Sequence, residues 1–200
     1  MRRTCNWVLG IGFGVMGLGI PAAWAGMIRG TVHTVGPQLL KDIVVFVDGV
    51  QGTFTPSPKP HMMDQKEKAY IPYVLPILKG EQVTFLNSDP FLHNVHLFLG
   101  RKSLFNLAMP PSGKPVTKTF EEVGGLVVLC NVHPEMEAWI VVRDNPFFAV
   151  TDADGHYRID GIPAGTYSVK AWHPKLVERT QSTSVPAEGE AICDFELRPK

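Results

Sequence analysis

The chain has 200 residues, with 19 Lys and Arg balanced by 19 Asp and Glu. This length allows one ordinary domain or two small ones. The balanced charge lacks the basic footprint of a nucleic-acid-binding protein, so we expect no nucleic-acid partner. Because the sequence has 17 Pro and 19 Gly and no long helical apolar period, it predicts an all-β fold of short strands and turns.

Residues 1–25 have the three parts of a secretory signal peptide. Arg2 and Arg3 are basic, residues 7–20 are apolar, and residues 23–25 form a small-x-small cleavage site. The apolar run is short and Gly-rich for a membrane span, although an uncleaved anchor is the alternative. We therefore expect a periplasmic protein with no stable membrane insertion after signal removal.

Residues 26–59 begin the mature chain, and segments 27–34 and 41–48 predict strands. A Pro- and Gly-rich connection follows, and then His61, Met62 and Met63. A His beside two Met could bind Cu(I) weakly. Such residues more often fill gaps in a core or lie exposed in a loop.

The segment 60–143 carries a series of short strand patterns. Residues 70–78 are extended and interrupted by Pro72 and Pro76, which indicates the edge of a sheet. Alternating apolar residues predict strands in segments 82–86 and 114–121, and apolar runs predict strands at 125–129 and 138–142. This serial pattern is typical of an antiparallel sandwich.

Between the last two of these runs, Cys130, His133 and Met136 lie three residues apart on one short loop. A thiolate, an imidazole and a thioether together suit copper that cycles between Cu(I) and Cu(II). His93 and His96 upstream are the candidates for a fourth ligand. Since they are three apart on a possible strand, they point to opposite faces and only one should face the metal.

The motifs NSDPFLHNVHLF and FEEVGGLVVLCNVHPEM resemble the cupredoxin family, and the short Cys-x-x-His-x-x-Met loop is of the amicyanin type. The resemblance covers roughly residues 65–143. It implies a Greek-key β-sandwich and one mononuclear copper ion held by the following residues: His93, Cys130, His133 and Met136. Leu92 departs from the family, which usually has Pro before the first ligand.

The resemblance also implies roles for neighbours of the site. Asn94 and Asn131 would tie the two ligand loops together, and Pro134 would stiffen the shorter loop. His133 would lie at the surface within an apolar patch that docks a redox protein partner. The predicted patch residues are Phe91, Leu92, Met109, Pro110 and Pro111. Glu135 as an oxygen ligand is a minor alternative to Met136.

Cys130 also has a purely structural interpretation. Cys130 and Cys193 are the two cysteines that remain after signal removal, and exported proteins commonly pair theirs. A disulfide would make the spacing to His133 and Met136 a coincidence, so ligation is the preferred interpretation.

Residues 144–200 have a different character. The motif TDADGHYRIDGIPAGTYSVKAWH resembles the carboxypeptidase regulatory-like (transthyretin-like) β-sandwich, a non-catalytic accessory module. We predict a hairpin turn at Asp154 and Gly155 and a strand over residues 166–172. Asp152 and Asp154 lack the other ligands of a calcium loop. The copper domain is either inserted into this sandwich, with residues 26–59 completing it, or placed in tandem with it.

The sequence thus predicts a periplasmic type 1 (blue) copper protein that transfers single electrons and is not itself an enzyme. A multicopper oxidase would need clustered His-x-His pairs, and the sequence has none. Two alternatives stay open: a copper-binding or delivery protein, and a structural or interaction module with a vestigial copper site.

Overall fold

The computed structural model describes residues 25–36 and 40–200, and within these residues every regular element is a β-strand, as predicted. The predicted signal peptide lies outside the described residues except for Ala25. No helix in the described part of the chain is long and apolar enough to span a membrane. The strands are as follows: β1 Ala25–Thr34, β2 Val44–Asp48, β3 His61–Lys66, β4 Ala69–Ile71, β5 Val74–Leu78, β6 Gln82–Asn87, β7 His93–Leu99, β8 Lys102–Met109, β9 Val116–Thr119, β10 Gly124–Leu129, β11 Glu137–Arg143, β12 Phe148–Val150, β13 His156–Pro163, β14 Gly165–Trp172, β15 Arg179–Val185, β16 Glu190–Ile192 and β17 Phe195–Leu197.

These strands form four sheets that stack as layers. The first layer has the order β13–β1–β16, with β17 also paired to β1, and the second has the order β12–β2–β14–β15. The third layer is β5–β11–β10–β7–β8 and the fourth is β4–β3–β6–β9. One apolar core lies between the first two layers and another between the last two. The described chain is therefore two β-sandwiches packed face to face.

The first sandwich is built from segments that are distant in sequence. Strand β1 pairs with β13, β16 and β17, and β2 pairs with β12 and β14. The described strands β3 to β11 pair only with one another. Residues 61–143 therefore build the second sandwich, and strands on both sides of that segment build the first.

The two sandwiches meet along an apolar seam, which we call the inter-sandwich seam. Its buried members are Val44, Phe46, Val74 and Val141, and Tyr73, Trp139, Phe148 and Trp172 pack against them. At the rim of the seam, Arg143 lies 3.8 Å above the ring of Phe46 and pairs with Asp48. Strand β2 is buried on both faces, which accounts for the uninterrupted apolar run at residues 43–47.

Most of the predicted strands are present. Segments 27–34, 82–86 and 166–172 lie in β1, β6 and β14. Strand β5 contains Pro76 and is an edge strand, as its prolines indicated. The pairing is not purely antiparallel, because β3 pairs with β6, and β5 with β11, in parallel.

The predicted hairpin at Asp154 and Gly155 is wrong. Strand β12, before the turn, pairs with β2 in the second layer, and β13, after it, pairs with β1 in the first. The turn itself exists: Gly155 has φ of 83°, and Asp152 Oδ1 accepts hydrogen bonds from the amides of Asp154 and His156. This turn carries the chain between sheets, so it does not join two paired strands.

The disulfide alternative is also wrong. Cys130 and Cys193 are free and buried. Cys130 belongs to the core of the second sandwich, whereas Cys193 belongs to the core of the first. Cys193 is thus a packed apolar thiol, which leaves Cys130 free for metal ligation.

Candidate metal centre

The candidate site lies at one end of the second sandwich, where β7 begins at His93 and β10 ends just before Cys130. Asn87 shapes the turn that leads into β7. Its side-chain amide donates to the carbonyls of Phe91 and Met109, at 2.9 and 2.7 Å. The turn is therefore fixed to strand β8, and these hydrogen bonds hold the backbone just before His93 in place.

The second loop joins β10 to β11 and is closed by its own backbone. The amide of Met136 donates to the carbonyl of His133 at 3.0 Å, and the amide of Cys130 donates to the carbonyl of Met136 at 3.3 Å. These bonds bring the first and last residues of the loop together, while His133 lies between them, half-buried.

Three of the four predicted ligands converge on one point. The Nδ1 atoms of His93 and His133 are 3.0 Å apart, and Cys130 Sγ is 3.9 Å from His93 Nδ1. All three ligand atoms lie within 4.8 Å of one another, and they are the one such group among the described residues. Metal bonds to imidazole nitrogen and thiolate sulfur are about 2.0–2.3 Å long, so these separations suit ligands that share one ion.

The structure also places the other candidate ligands. Met136 is buried in the same core as Cys130, whereas Glu135 is exposed and lies outside the His–Cys–His group. The ring nitrogens of His96 contact Asn131 Oδ1 at 3.1 Å and Ser103 Oγ at 2.9 Å. The upstream histidine next to Cys130 is therefore His93 and not His96.

Asn94 connects the two ligand loops. Its Oδ1 accepts a hydrogen bond of 2.7 Å from the amide of Asn131 and lies 3.5 Å from Cys130 Sγ. Its amide nitrogen donates to Asn106 Oδ1 at 2.8 Å, and its carbonyl accepts from the hydroxyl of Tyr70. The side chain is buried, and its bond to the amide of Asn131 connects the start of the Cys130 loop to β7.

Asp89 is a site residue that the sequence analysis missed. Its Oδ2 lies 2.8 Å from His93 Nε2, on the side of the ring away from Cys130. The carboxylate also accepts hydrogen bonds from the amides of Glu67 and Lys68, at 2.7 and 3.0 Å. Burial alone would raise the pKa of Asp89, but the bonds from Lys68, His93 and Glu67 together lower it. Asp89 is therefore poised to act as a carboxylate.

Exposed apolar residues lie next to His93 and His133 in the sequence. Leu92 and Val132 are each 47 % exposed, and the half-buried Phe91 ring is centred 5.5 Å from the His133 ring. Pro110, Pro111 and Pro134 are also exposed. Met109 is only 2 % exposed and pairs with His93 across the sheet, so its predicted place in the patch is wrong. Val132, directly before His133, is an exposed apolar residue that the predicted patch did not include.

The His61–Met63 segment does not form a copper site. Met63 is fully buried in the core of the second sandwich, whereas Met62 is 60 % exposed on the opposite face of β3. The ring of His61 contacts the carboxylate of Glu81 at 2.7 Å. The two thioethers thus point away from each other, which fits the gap-filling and exposed roles.

No protein-family model and no curated protein matches the chain. Among solved structures, the chain is similar to a reduced amicyanin variant, with 23% identity over 50% of this chain and 98% of amicyanin, and a TM-score of 0.39. It is similar to a purple cupredoxin from Nitrosopumilus maritimus, with 25% identity over 42% of this chain and 99% of that one, and a TM-score of 0.37. A copper-containing nitrite reductase from Thermus scotoductus SA-01 matches at 23% identity over 57% of this chain but only 28% of its own length, with a TM-score of 0.40. The functional proposal rests on the geometry of the site.

Proposed function

We propose that this protein is a periplasmic blue copper protein that transfers single electrons between redox partners. The observation that supports the proposal is the convergence of His93 Nδ1, Cys130 Sγ and His133 Nδ1 within 4.8 Å. Two histidines and one cysteine, with a weak axial methionine, form the ligand set of blue-copper electron-transfer sites. Met136, which is buried in the same core as Cys130, would supply the axial sulfur.

The protein would hold this ligand set rigidly. Bound copper would supply a couple that alternates between Cu(II) and Cu(I). His93 and Cys130 are buried, and the Asn94–Asn131 bond ties their loops together. A braced site of this kind changes little between oxidation states, so little reorganisation opposes electron transfer. With four protein ligands no position stays open for substrate, which favours a carrier over an enzyme.

His133 would be the exit and entry point for electrons. It is half-buried, its ring is centred 5.5 Å from that of Phe91, and the exposed apolar residues Val132 and Pro134 flank it in the sequence. A small apolar patch fits the short-lived docking of a redox protein, since transient electron-transfer encounters bury less surface than stable complexes do.

The test is a visible absorption and EPR spectrum of the mature protein after addition of Cu(II). We expect an intense thiolate-to-copper charge-transfer band and narrow hyperfine splitting. Cys130→Ser should lose both features. Cys193→Ser is the matched control, because Cys193 is an equally buried free thiol in the other sandwich, and it should keep them. A pale spectrum that Cys130→Ser leaves unchanged would refute the proposal and favour copper handling or a structural role.

We further propose that residues 60–143 form a copper domain inserted into an accessory sandwich made of residues 26–59 and 144–200. The pairing of β1 and β2 with strands after residue 147 supports this division. The segment 60–143 expressed alone should fold and bind copper. Its failure to do so would count against the insertion. The transthyretin-like character of the accessory sandwich stays a prediction.

A further inference from the structure

We propose that Asp89 is a positioning residue of the copper centre. Through its contact with His93 Nε2 it fixes the orientation and the tautomer of the His93 ring, and it favours Cu(II) over Cu(I). This inference rests on the proposed function, because it assigns Asp89 a task at the same site.

The first step concerns the proton on His93. A carboxylate only accepts hydrogen bonds, so the 2.8 Å contact between Asp89 Oδ2 and His93 Nε2 requires a proton on Nε2. The neutral ring then carries no proton on Nδ1. This is the atom that lies 3.9 Å from Cys130 Sγ and 3.0 Å from His133 Nδ1. Asp89 thus keeps the Nδ1 lone pair directed at the metal position.

The second step concerns how Asp89 itself is held. Its two oxygens accept the amides of Glu67 and Lys68 in the β3–β4 turn. Both residues have positive φ, 55° and 57°, a left-handed conformation that non-glycine residues rarely adopt. In this turn the two consecutive amides both point at the Asp89 carboxylate. These backbone hydrogen bonds hold the carboxylate in place, so its negative charge has a fixed position.

The third step concerns the metal. A buried negative charge that is hydrogen-bonded to a ligand ring raises the basicity of the ring nitrogen that binds the metal. It therefore stabilises the higher charge of Cu(II) relative to Cu(I). Loss of such an outer partner typically weakens metal binding about 10–100-fold. If Cu(II) binding weakens about tenfold more than Cu(I) binding, the reduction potential rises by about 59 mV.

The experiment compares Asp89→Asn with Glu81→Gln. Glu81 is a matched control because its carboxylate also accepts two backbone amides, from Ser57 and Leu78, and contacts a histidine ring at 2.7 Å. It precedes β6, whereas Asp89 follows β6, so about 20 Å of strand separates the two carboxylates. Both variants lose a similar buried network, but only one network touches a predicted ligand.

Imidazole nitrogen NMR of the copper-free protein gives the first readout. Wild type should carry the His93 proton on Nε2, and Asp89→Asn should lose this preference. Cu(II) competition titration and voltammetry give the second readout: Asp89→Asn should bind Cu(II) at least tenfold more weakly and have a higher potential. Glu81→Gln should match wild type in both, and Asp89→Glu, which keeps the charge, should recover most of the potential.

Three results would overturn the inference. One is a His93 proton on Nδ1 in the wild-type protein, which can be read even if Asp89→Asn does not fold. Another is an Asp89→Asn potential and Cu(II) affinity equal to those of wild type. The third is an equal shift in Glu81→Gln, which would indicate general destabilisation. Absence of a blue spectrum in wild type would instead refute the proposed function, while the NMR arm would still decide the role of Asp89 toward His93.

Discussion

The bridge between the two ligand loops can be tested by Asn94→Ala. This change removes the acceptor for the amide of Asn131 and the donor to Asn106 Oδ1. Each hydrogen bond contributes roughly 1 kcal/mol, and an amide left without a partner in a partly buried place adds up to about 1 kcal/mol more. We therefore expect the free energy of unfolding to fall by about 2–3 kcal/mol. For a chain of this size, that is roughly 4–12 °C in Tm.

Urea denaturation of the copper-free protein measures this loss without any contribution from metal binding. Asn106→Ala is the control, because it removes only the outer bond of the pair and Asn106 is exposed. It should cost about 1 kcal/mol or less. If Asn94→Ala were no more destabilising than Asn106→Ala, the Asn94–Asn131 bond would not hold the loops together. The EPR hyperfine pattern of Asn94→Ala with copper should broaden, because the start of the Cys130 loop is released.

Three further predictions concern the seam, the pH dependence and the docking patch. Phe46→Ala, in the inter-sandwich seam, should lower the free energy of unfolding by about 3–5 kcal/mol and keep the blue spectrum. Val177→Ala, at the surface, should change neither the free energy of unfolding nor the spectrum. A small loss of stability in Phe46→Ala would mean that the seam contributes little. Burial and the nearby charges of Lys175 and Lys200 lower the pKa of His173 to about 4, although Glu137 opposes this. The imidazole of His173 is therefore protonated at a higher pH in the unfolded chain than in the folded one, and the free energy of unfolding should fall as the pH drops from about 6.5 to about 4. In denaturation experiments over this pH range, His173→Asn should show a smaller dependence on pH. Leu92→Lys should slow electron self-exchange, measured by NMR line broadening, and leave the absorption spectrum unchanged. Val123→Lys, at the other end of β10, should leave both the self-exchange rate and the spectrum unchanged. Equal self-exchange rates for the two variants would show that Leu92 is not part of the docking surface.

Which strands could be predicted depended on how regularly their side chains alternate. Strand β8 was missed because it contains a bulge at Leu104, opposite Leu97 and Phe98. The consecutive residues Leu104 and Phe105 are both half-buried, so the alternation of apolar and polar residues is broken. Strand β3 was missed because an inward position is occupied by a polar residue, Gln65, which is fully buried. In both cases the apolar pattern that marks a strand is lost locally.

Pairing between strands was harder to predict than the strands themselves. The turn at Asp154 and Gly155 has local hairpin chemistry, yet its two strands belong to different sheets. Their partners, β1 and β2, lie more than a hundred residues earlier, and a local turn signal says nothing about such partners. The apolar runs in β2 and β11 did indicate packing between sheets, since both strands are buried on two faces where the sandwiches meet.

At the site, the spacing of Cys130, His133 and Met136 pointed to a metal-binding loop, whereas the choice of His93 over His96 depended on the family resemblance. The position of Met109 was not predictable, because it depends on which face of β8 turns inward beside His93. Asp89 could have been suspected from its place four residues before His93. Four residues is a contact distance on a helix, but in a turn it depends on a backbone path that the sequence does not specify.

The layer order has a practical consequence for attaching the protein to a surface. Strands β1 and β17 lie in the first layer, whereas His93 and Cys130 belong to or directly follow β7 and β10 of the third layer. Since packed sheets are about 10 Å apart, roughly 20 Å separates these two layers. A linker joined to the chain after β17 would therefore hold the molecule by its far side. On an electrode or vesicle, the accessory sandwich would act as a spacer that presents His133 to the solution.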